Sequence, residues 1–224
     1  MTKILQFDNL SFHYEDENRS VQILDEVTIS FEKGMFYTIV GPSGVGKTTT
    51  LALASAMDYP KTGEILYNGK RLRDIGLTKY RNEKIGIVFQ SYYLINYMTG
   101  IQNILTAMEV AKYQQKNKKE KALELIRLVG LSEEEANSHV QNLSGGQQQR
   151  IAIARALATD PSIILADEPT GNLDRRTSDG IIKLFKDLAH KNNKCVIVVT
   201  HSERVAAQSD LVLRLEDGKF EIEY

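Results

Sequence analysis

A chain of 224 residues can hold one large domain with a full core, or one domain with a small insert. Its 28 basic and 29 acidic side chains nearly cancel, which leaves no electrostatic case for a nucleic-acid binder. The single cysteine, Cys195, cannot form an internal disulfide, and no run approaches the roughly 18 to 20 apolar residues of a bilayer span. The first residues, Met1 to Asp8, hold no apolar stretch of signal-peptide length. The expectation is a soluble protein of a reducing, cytoplasmic compartment that reaches a membrane only through a partner.

Residues 3 to 40 read as strands: Phe7, Leu10, Phe12 and Tyr14 suit an extended segment, and Val27 to Phe31 alternate with period two. Glu15 to Ser20 is polar and turn-like. The run Met35 to Val40 reads as a strand that leads into Gly41-Pro42-Ser43-Gly44-Val45-Gly46-Lys47-Thr48. Thr48 to Met57, without Gly or Pro, reads as the next helix. Strand, glycine loop and helix together make a phosphate-binding loop. The glycines let backbone N–H groups approach phosphate oxygens, and the helix end adds a positive dipole. Lys47 supplies a point charge for the β- and γ-phosphates, and the Thr48 hydroxyl suits Mg²⁺.

Further along, Glu64 to Tyr67 is a short strand closed by the hairpin signal Asn68-Gly69. A charged stretch runs to Lys84, and Ile85 to Phe89 forms a buried strand ending at Gln90. From Ser91 to about Val140 helical patterns take over, at Ile101–Tyr113 and at Lys119–Val129, the latter stopped by Gly130. The lysines 112, 116, 118, 119 and 121 read as a solvated face or loop. Gly145 to Ala158 and Asp174 to His190 are helical. Ser162 to Ala166 and Val196 to Thr200 are buried strands, and Leu211 to Ile222 is a hairpin. Cys195, inside an apolar run, reads as a buried hydrophobe. Strands alternating with helices give an α/β class with a mostly parallel, helix-covered sheet, an antiparallel β region at the N-terminus and a helical insertion.

Two further stretches carry chemistry. Ile163 to Ala166 followed by Asp167-Glu168 places two acids at the end of a buried strand, where α/β sheets bind ligands. Asp167 suits Mg²⁺, and Glu168 can polarise a water for attack on the γ-phosphate. Leu143-Ser144-Gly145-Gly146-Gln147 offers a capping serine and two glycines at a helix start, a second anion site that a domain with one phosphate loop does not need.

These motifs, in this order, resemble the nucleotide-binding subunits of ATP-binding cassette transporters, and the resemblance covers essentially the whole chain. It implies a P-loop NTPase core at 1–90 and 141–224 with a helical subdomain at about 91–140. It further implies ATP as substrate, Mg²⁺ as cofactor, and two copies packed head to tail. In that arrangement the nucleotide lies between residues 41–49 of one copy, Thr49 included, and Ser144, Gly145, Gly146 and Gln147 of the other. Gln90 matches the contact to Mg²⁺ and the attacking water, Asp174 the acid at the dimer junction, His201 the γ-phosphate histidine, and Tyr14 the ring that stacks on adenine. The stretch from Asp167 to Asp174, with its Gly171-Asn172 pair, resembles the branch that serves lipoprotein release, macrolide and peptide export and antimicrobial-peptide resistance. A membrane-spanning permease is the implied partner, which would hold the chain on the inner face of the cell membrane.

The wording at Phe89 to Ile95 and at Leu51 to Ala56 departs from that branch, and cargo and permease stay open. So does the choice between a homodimer and a pair with a related chain. A cassette ATPase of DNA repair would need a far longer insertion, a translation-class cassette protein would carry two cassettes, and an importer subunit is the remaining transport alternative. A GTPase would show an Asn-Lys-x-Asp reader, but Asn193-Lys194 is followed by Cys195-Val196.

Overall fold

The computed structural model of the chain describes residues 2–16, 19–114 and 116–223; part of the polar link read at Glu15 to Ser20, namely Glu17 and Asn18, lies outside them. Strands β1 (Lys3–Asp16) and β2 (Arg19–Glu32) pair antiparallel. The chain then runs through β3 (Phe36–Val40) and α1 (Lys47–Ala54). Next β4 (Thr62–Tyr67) returns to pair with β1 and turns into β5 (Lys70–Arg71) at Asn68-Gly69. The φ angles of that pair, 49° and 74°, are the left-handed ones such a two-residue turn requires.

Two short helices, α2 (Leu72–Ile75) and α3 (Leu77–Glu83), lead to β6 (Ile85–Val88). The middle of the chain is helical, with α4 (Gly100–Val110), α5 (Lys118–Leu128) and α6 (Glu133–Asn137). It continues through α7 (Gly145–Ala156), β7 (Ile163–Asp167), α8 (Arg175–His190), β8 (Cys195–Val199) and α9 (Glu203–Ala206). The hairpin of β9 (Leu211–Glu216) and β10 (Lys219–Glu223) comes last. Among the described residues no helix is long and apolar enough to cross a membrane.

The strands form two sheets. One is antiparallel, in the order β2-β1-β4-β5; the other runs β10-β9-β3-β8-β7-β6 and is parallel except for the β10–β9 hairpin. Because side chains alternate along a strand, the parallel sheet feeds two cores. Ile164, Ala166, Val196 and Val198 face the layer of α4, α5, α7 and α8, with Phe36 and Phe185 among them. Ile163, Leu165, Cys195, Ile197 and Val199 face α1 and the antiparallel sheet, packing with Phe7, Leu10, Phe31 and Tyr80. Burial on both faces is why these strands read as unbroken apolar runs. It also pushes the Cys195 thiol far up, which leaves it an inert core side chain.

Four stretches differ from the sequence reading. The charged stretch before Lys84 holds α2 and α3, because Leu72 and Tyr80 are buried beneath its basic residues. Helix α1 stops at Ala54 rather than Met57. Ala56 turns left-handed at φ 57°, and the Tyr80 hydroxyl and the Arg81 guanidinium donate to the carbonyls of Ala54 and Ala56 at 2.9 and 2.7 Å. Partners from α3 thus terminate α1, and no local breaker marks the place. Helices α4 and α7 likewise end short of the predicted residues 113 and 158.

The lysines read as a solvated stretch are on the surface, with Lys118 paired to Glu109 and Lys121 to Glu124 at 2.9 and 3.3 Å. The chain leaves for and returns from the helical stretch at one place. Thr99 bridges His139, Val140 N donates to Met98 O, and Gly100 N donates to Ser138 O.

Gly86 of β6 sets how closely the sheet meets the end of α7. A Cβ there would lie 2.4 Å from the Ala156 carbonyl oxygen. Gly86→Ala is therefore expected to lower unfolding free energy by about 1–3 kcal/mol through overpacking. Urea denaturation followed by circular dichroism measures it.

Candidate functional site

The ladder β3-β8-β7-β6 brings four strand ends to one edge. Register pairs Ile39 with Val199, Val199 with Asp167, and Ala166 with Val88. The residues at and just past these strand ends are therefore adjacent in space: Gly41–Thr48 after β3, Thr200-His201 after β8, Asp167-Glu168 at the end of β7 and Gln90 after β6. This is the carboxyl edge where such sheets hold ligands.

The Gly41–Thr48 loop is an anion cradle by geometry. Gly46, at φ 109°, sits where a Cβ would meet Ile23 at 2.3 Å, and a Cβ on Gly41 would lie 2.4 Å from Leu215 O. Among the described residues the N–H groups of Gly44, Gly46, Lys47 and Thr48 have no intramolecular acceptor. They sit at the positive end of α1. Pro42, Ser43 and Val45 form the turn between the glycines, with Val45 N donating to Pro42 O at 3.5 Å.

Lys47 is buried, and its ammonium donates to the Gly41 and Pro42 carbonyls at 2.9 and 2.8 Å. Burial lowers its pKa, against the pull of Glu168 and Asp167. The cradle thus combines free donors with a partly desolvated cation, which suits a polyphosphate.

Next to it, the Thr48 hydroxyl donates to Asp167 Oδ2 at 3.2 Å. The Asp167 carboxyl is raised, first by burial and also by Glu168, while Thr48 and Lys47 lower it. A divalent cation here would relieve that desolvation. Among the described residues no cluster of three or more His, Cys, Asp or Glu could hold a metal alone. Two oxygen donors beside an anion cradle fit Mg²⁺, which keeps waters and phosphate oxygens in its shell. Tyr14 reaches the same place from the other sheet. Its hydroxyl lies 3.3 Å from Thr49 Oγ1, and its ring, half exposed, stands edge-on to Phe12 at 5.0 Å.

Glu168 is held differently from Asp167. Its backbone is left-handed, at φ 43°, and its N–H donates to Val199 O at 2.9 Å. The Thr200 hydroxyl donates to its Oε2 at 2.8 Å and His201 N to its Oε1 at 2.9 Å; the His201 ring is 3.7 Å away. The carboxylate is aimed rather than mobile. The sequence reading did not single out Thr200. Its signal is a polar residue at the end of an apolar strand, fully buried and so bound to have a partner.

A second group of residues gathers at the start of α7. Ser144 and Gln147 form a capping box, with Gln147 N donating to Ser144 Oγ and Ser144 N to Gln147 Oε1 at 3.3 and 2.7 Å. The Gln147 amide also donates to Glu135 at 2.6 Å, so this side chain is committed inward. The N–H groups of Gly145 and Gly146 have no acceptor among the described residues.

Asp174 caps α8 through Thr177, whose hydroxyl and N–H hold its carboxyl below its ordinary value. A Cβ on Gly146 would meet Thr177 at 2.4 Å, so the two helix starts are side by side. Gln90 is near this group too, its amide nitrogen beside Gly171. The side chains nearest Gly145 and Gly146 are those of Tyr92, Leu173 and Thr177, and Gln147 reaches Glu135, none of them in the Gly41–Thr48 loop. The chain therefore carries two helix starts with free N–H groups, one beside a lysine and two acids and one without them.

Comparison with known proteins decides the family. The family described as ABC transporter matches residues 24–171. The chain belongs to the ABC transporter family. The ABC transporter ATP-binding protein YclH of Bacillus subtilis is 52% identical over 98% of this chain and 96% of its own length. A dimeric structure of MJ0796, an ABC transporter cassette of Methanocaldococcus jannaschii, superimposes with a TM-score of 0.87 at 38% identity, covering 97% of both chains. A dimeric post-hydrolysis structure of MJ0796 bound to ADP and Pi gives 0.88 at 37% identity over 98% of both. This ABC transporter chain is an ATP-binding subunit and an ATPase that works with Mg²⁺.

Thr200→Val keeps the volume and removes the donor to Glu168. The expected result is a turnover number about tenfold lower, since a single aligned hydrogen bond to a charged group is worth ~1.5 kcal/mol or more, with a melting temperature lowered by a few degrees because Ser202 N also loses its acceptor. Steady-state ATPase assays and thermal melts check both parts.

Proposed function

We propose that two copies of this ABC transporter chain close head to tail on two ATP molecules and that the closure drives a membrane-spanning permease. The observation that carries this reading is the pair of free N–H groups at Gly145 and Gly146, at a helix start whose recorded neighbours lie outside the loop that would hold the nucleotide. Such an end is of no use to its own chain and suits the γ-phosphate of another copy. The dimeric form of the similar cassette MJ0796 supports it. Domain limits of 1–90 and 141–224 for the core and about 91–140 for the helical part draw support from the neck at Thr99 and His139.

In the proposed site, Gly41–Thr49 cradles the phosphates and Lys47 leaves its loop carbonyls for the β- and γ-oxygens. Tyr14 presents its ring face to the adenine. Thr48, Asp167 and Gln90 would hold Mg²⁺, which would supply charge stabilisation at the β- and γ-oxygens. Glu168, oriented by Thr200 and His201 N, accepts a proton from the water that attacks the γ-phosphorus. The bond to the bridging oxygen breaks, and ADP and phosphate result. His201 donates to the γ-phosphate, and Asp174 stands at the junction of the copies. Loss of the γ-phosphate removes the shared ligand and frees the copies.

The permease reading draws on an apolar groove lined by Met57, Phe89, Tyr93, Ile95 and Val110, several of them strongly exposed. The Gly171-Asn172 pair favours the export and extraction branch of lipoprotein, peptide and drug-like cargo. On this reading the chain sits peripherally on the inner face of the cell membrane.

Glu168→Gln is expected to bind ATP and lose about a hundredfold or more in hydrolysis, the contribution of a positioned base. Size-exclusion chromatography with ATP should then show a stable dimer. Near-normal turnover would remove Glu168 as the base. Ser144→Arg and Lys47→Ala should each be inactive alone. Mixed, they should regain activity, because the heterodimer keeps one site with an intact Lys47 and an intact Ser144. A mixture no better than its parts overturns the two-copy site.

A further inference from the structure

The segment between β6 and α4 carries strain that none of the roles above uses. Tyr92 and Tyr93 are both left-handed, at φ 56° and 48°. Two bulky residues in succession rarely adopt that conformation, and each needs outside support. The support comes from Arg155, near the C-terminal end of α7. Its Nη2 donates to Tyr92 O at 2.7 Å and its Nη1 to Tyr93 O. The left-handed pair is what turns both carbonyls toward one guanidinium fork. Burial lowers the Arg155 pKa, but a guanidinium stays charged regardless.

The contacts on either side give the clamp a direction. Gln90, two residues before Tyr92, has its amide nitrogen beside Gly171, in the stretch that joins Glu168 to Asp174. The Tyr92 hydroxyl lies 3.0 Å from where a Cβ on Gly145 would stand. The Tyr93 ring stands edge-on to Phe89 at 5.2 Å. Beyond the clamp the buried Asn103 side chain fixes Ile95, accepting from its N–H at 2.8 Å and donating to its carbonyl at 3.3 Å. Gln90 thus lies between the end of β6 at Val88 and the turn pinned to α7, with α4 holding the segment beyond, and has little freedom of its own.

We infer that Arg155 is a positioning residue that locks the Tyr92-Tyr93 turn to α7, so that Gln90 and the Ser144–Gly146 helix start move as one piece. The metal side of one site is thereby tied to the anion cradle that the same chain lends to its partner. The inference rests on the proposed roles of Gln90 and Ser144.

The test is the Mg²⁺ concentration that half-saturates ATP hydrolysis by the purified full chain at fixed ATP. Arg155→Gln is expected to raise it about fivefold, the size set by one unsupported left-handed residue. Arg155→Lys keeps the charge and reaches one carbonyl at a time; it carries the same expectation if Arg155→Gln does not fold. Adding Tyr93→Gly to either variant should recover most of the shift, because glycine takes φ 48° without a clamp. A merely structural Arg155 predicts the opposite, since removing the Tyr93 ring costs packing. Unchanged Mg²⁺ dependence in a folded Arg155 variant, or no recovery with Tyr93→Gly, overturns the inference. Gln90→Ala serves as the reference. If it shifts and the Arg155 variants do not, the inference alone falls. If Gln90→Ala itself does not shift, the assignment of Gln90 falls and takes the inference with it.

Discussion

Four parallel strands hydrogen-bonded in the order β3-β8-β7-β6 fix everything else in this molecule. Their ladder cannot slip by one residue without turning Ile164 and Val196 out of one core and Ile163 and Ile197 into it. With the register fixed, the residues after the strands have no choice of place. Glycine loop, paired acids and histidine meet because their strands are adjacent, although more than a hundred residues separate Thr48 from Asp167. Burial of both sheet faces stabilises the fold and gives the edge a low local dielectric. Burial raises the Asp167 carboxyl and lowers the Lys47 ammonium.

Fixed orientation is the second feature of that edge. Glu168 is held by a hydroxyl and a backbone N–H from the strand beside it, and its own left-handed backbone turns it away from the line of Asp167. Two neighbouring acids in the sequence are thereby given separate surroundings. One lies against Thr48, where a cation belongs, and the other toward Thr200 and His201.

Much of this was legible in the sequence, because the site is built where secondary structure ends. Apolar runs stopping at Gly41, Asp167 and His201 named the strands and the candidate positions that the structure brings to one edge. Asn68-Gly69 and Ser144 announced a turn and a cap through side-chain chemistry that acts locally. What the sequence hid depends on distant partners. α1 ends where Tyr80 and Arg81 take its last carbonyls, and α2 and α3 lie under a charged surface. Thr200 acquires meaning only once β7 and β8 are side by side. Gln147 looked like part of a ligand site, yet its side chain is spent on Ser144 and Glu135, which leaves the backbone of the two glycines as the outward chemistry.

The neck at Thr99 and His139 has a consequence for how such a molecule can change over generations. Because the helical stretch starts and finishes at a single backbone bridge, the core experiences its whole length as one short loop. Lengthening those helices away from Ile104, Met108 and Ile126, which share a core with the sheet, changes chain-closure entropy only logarithmically and leaves the strand register untouched. The surface of those helices can therefore be rewritten while the strand edge and the residues gathered there are kept.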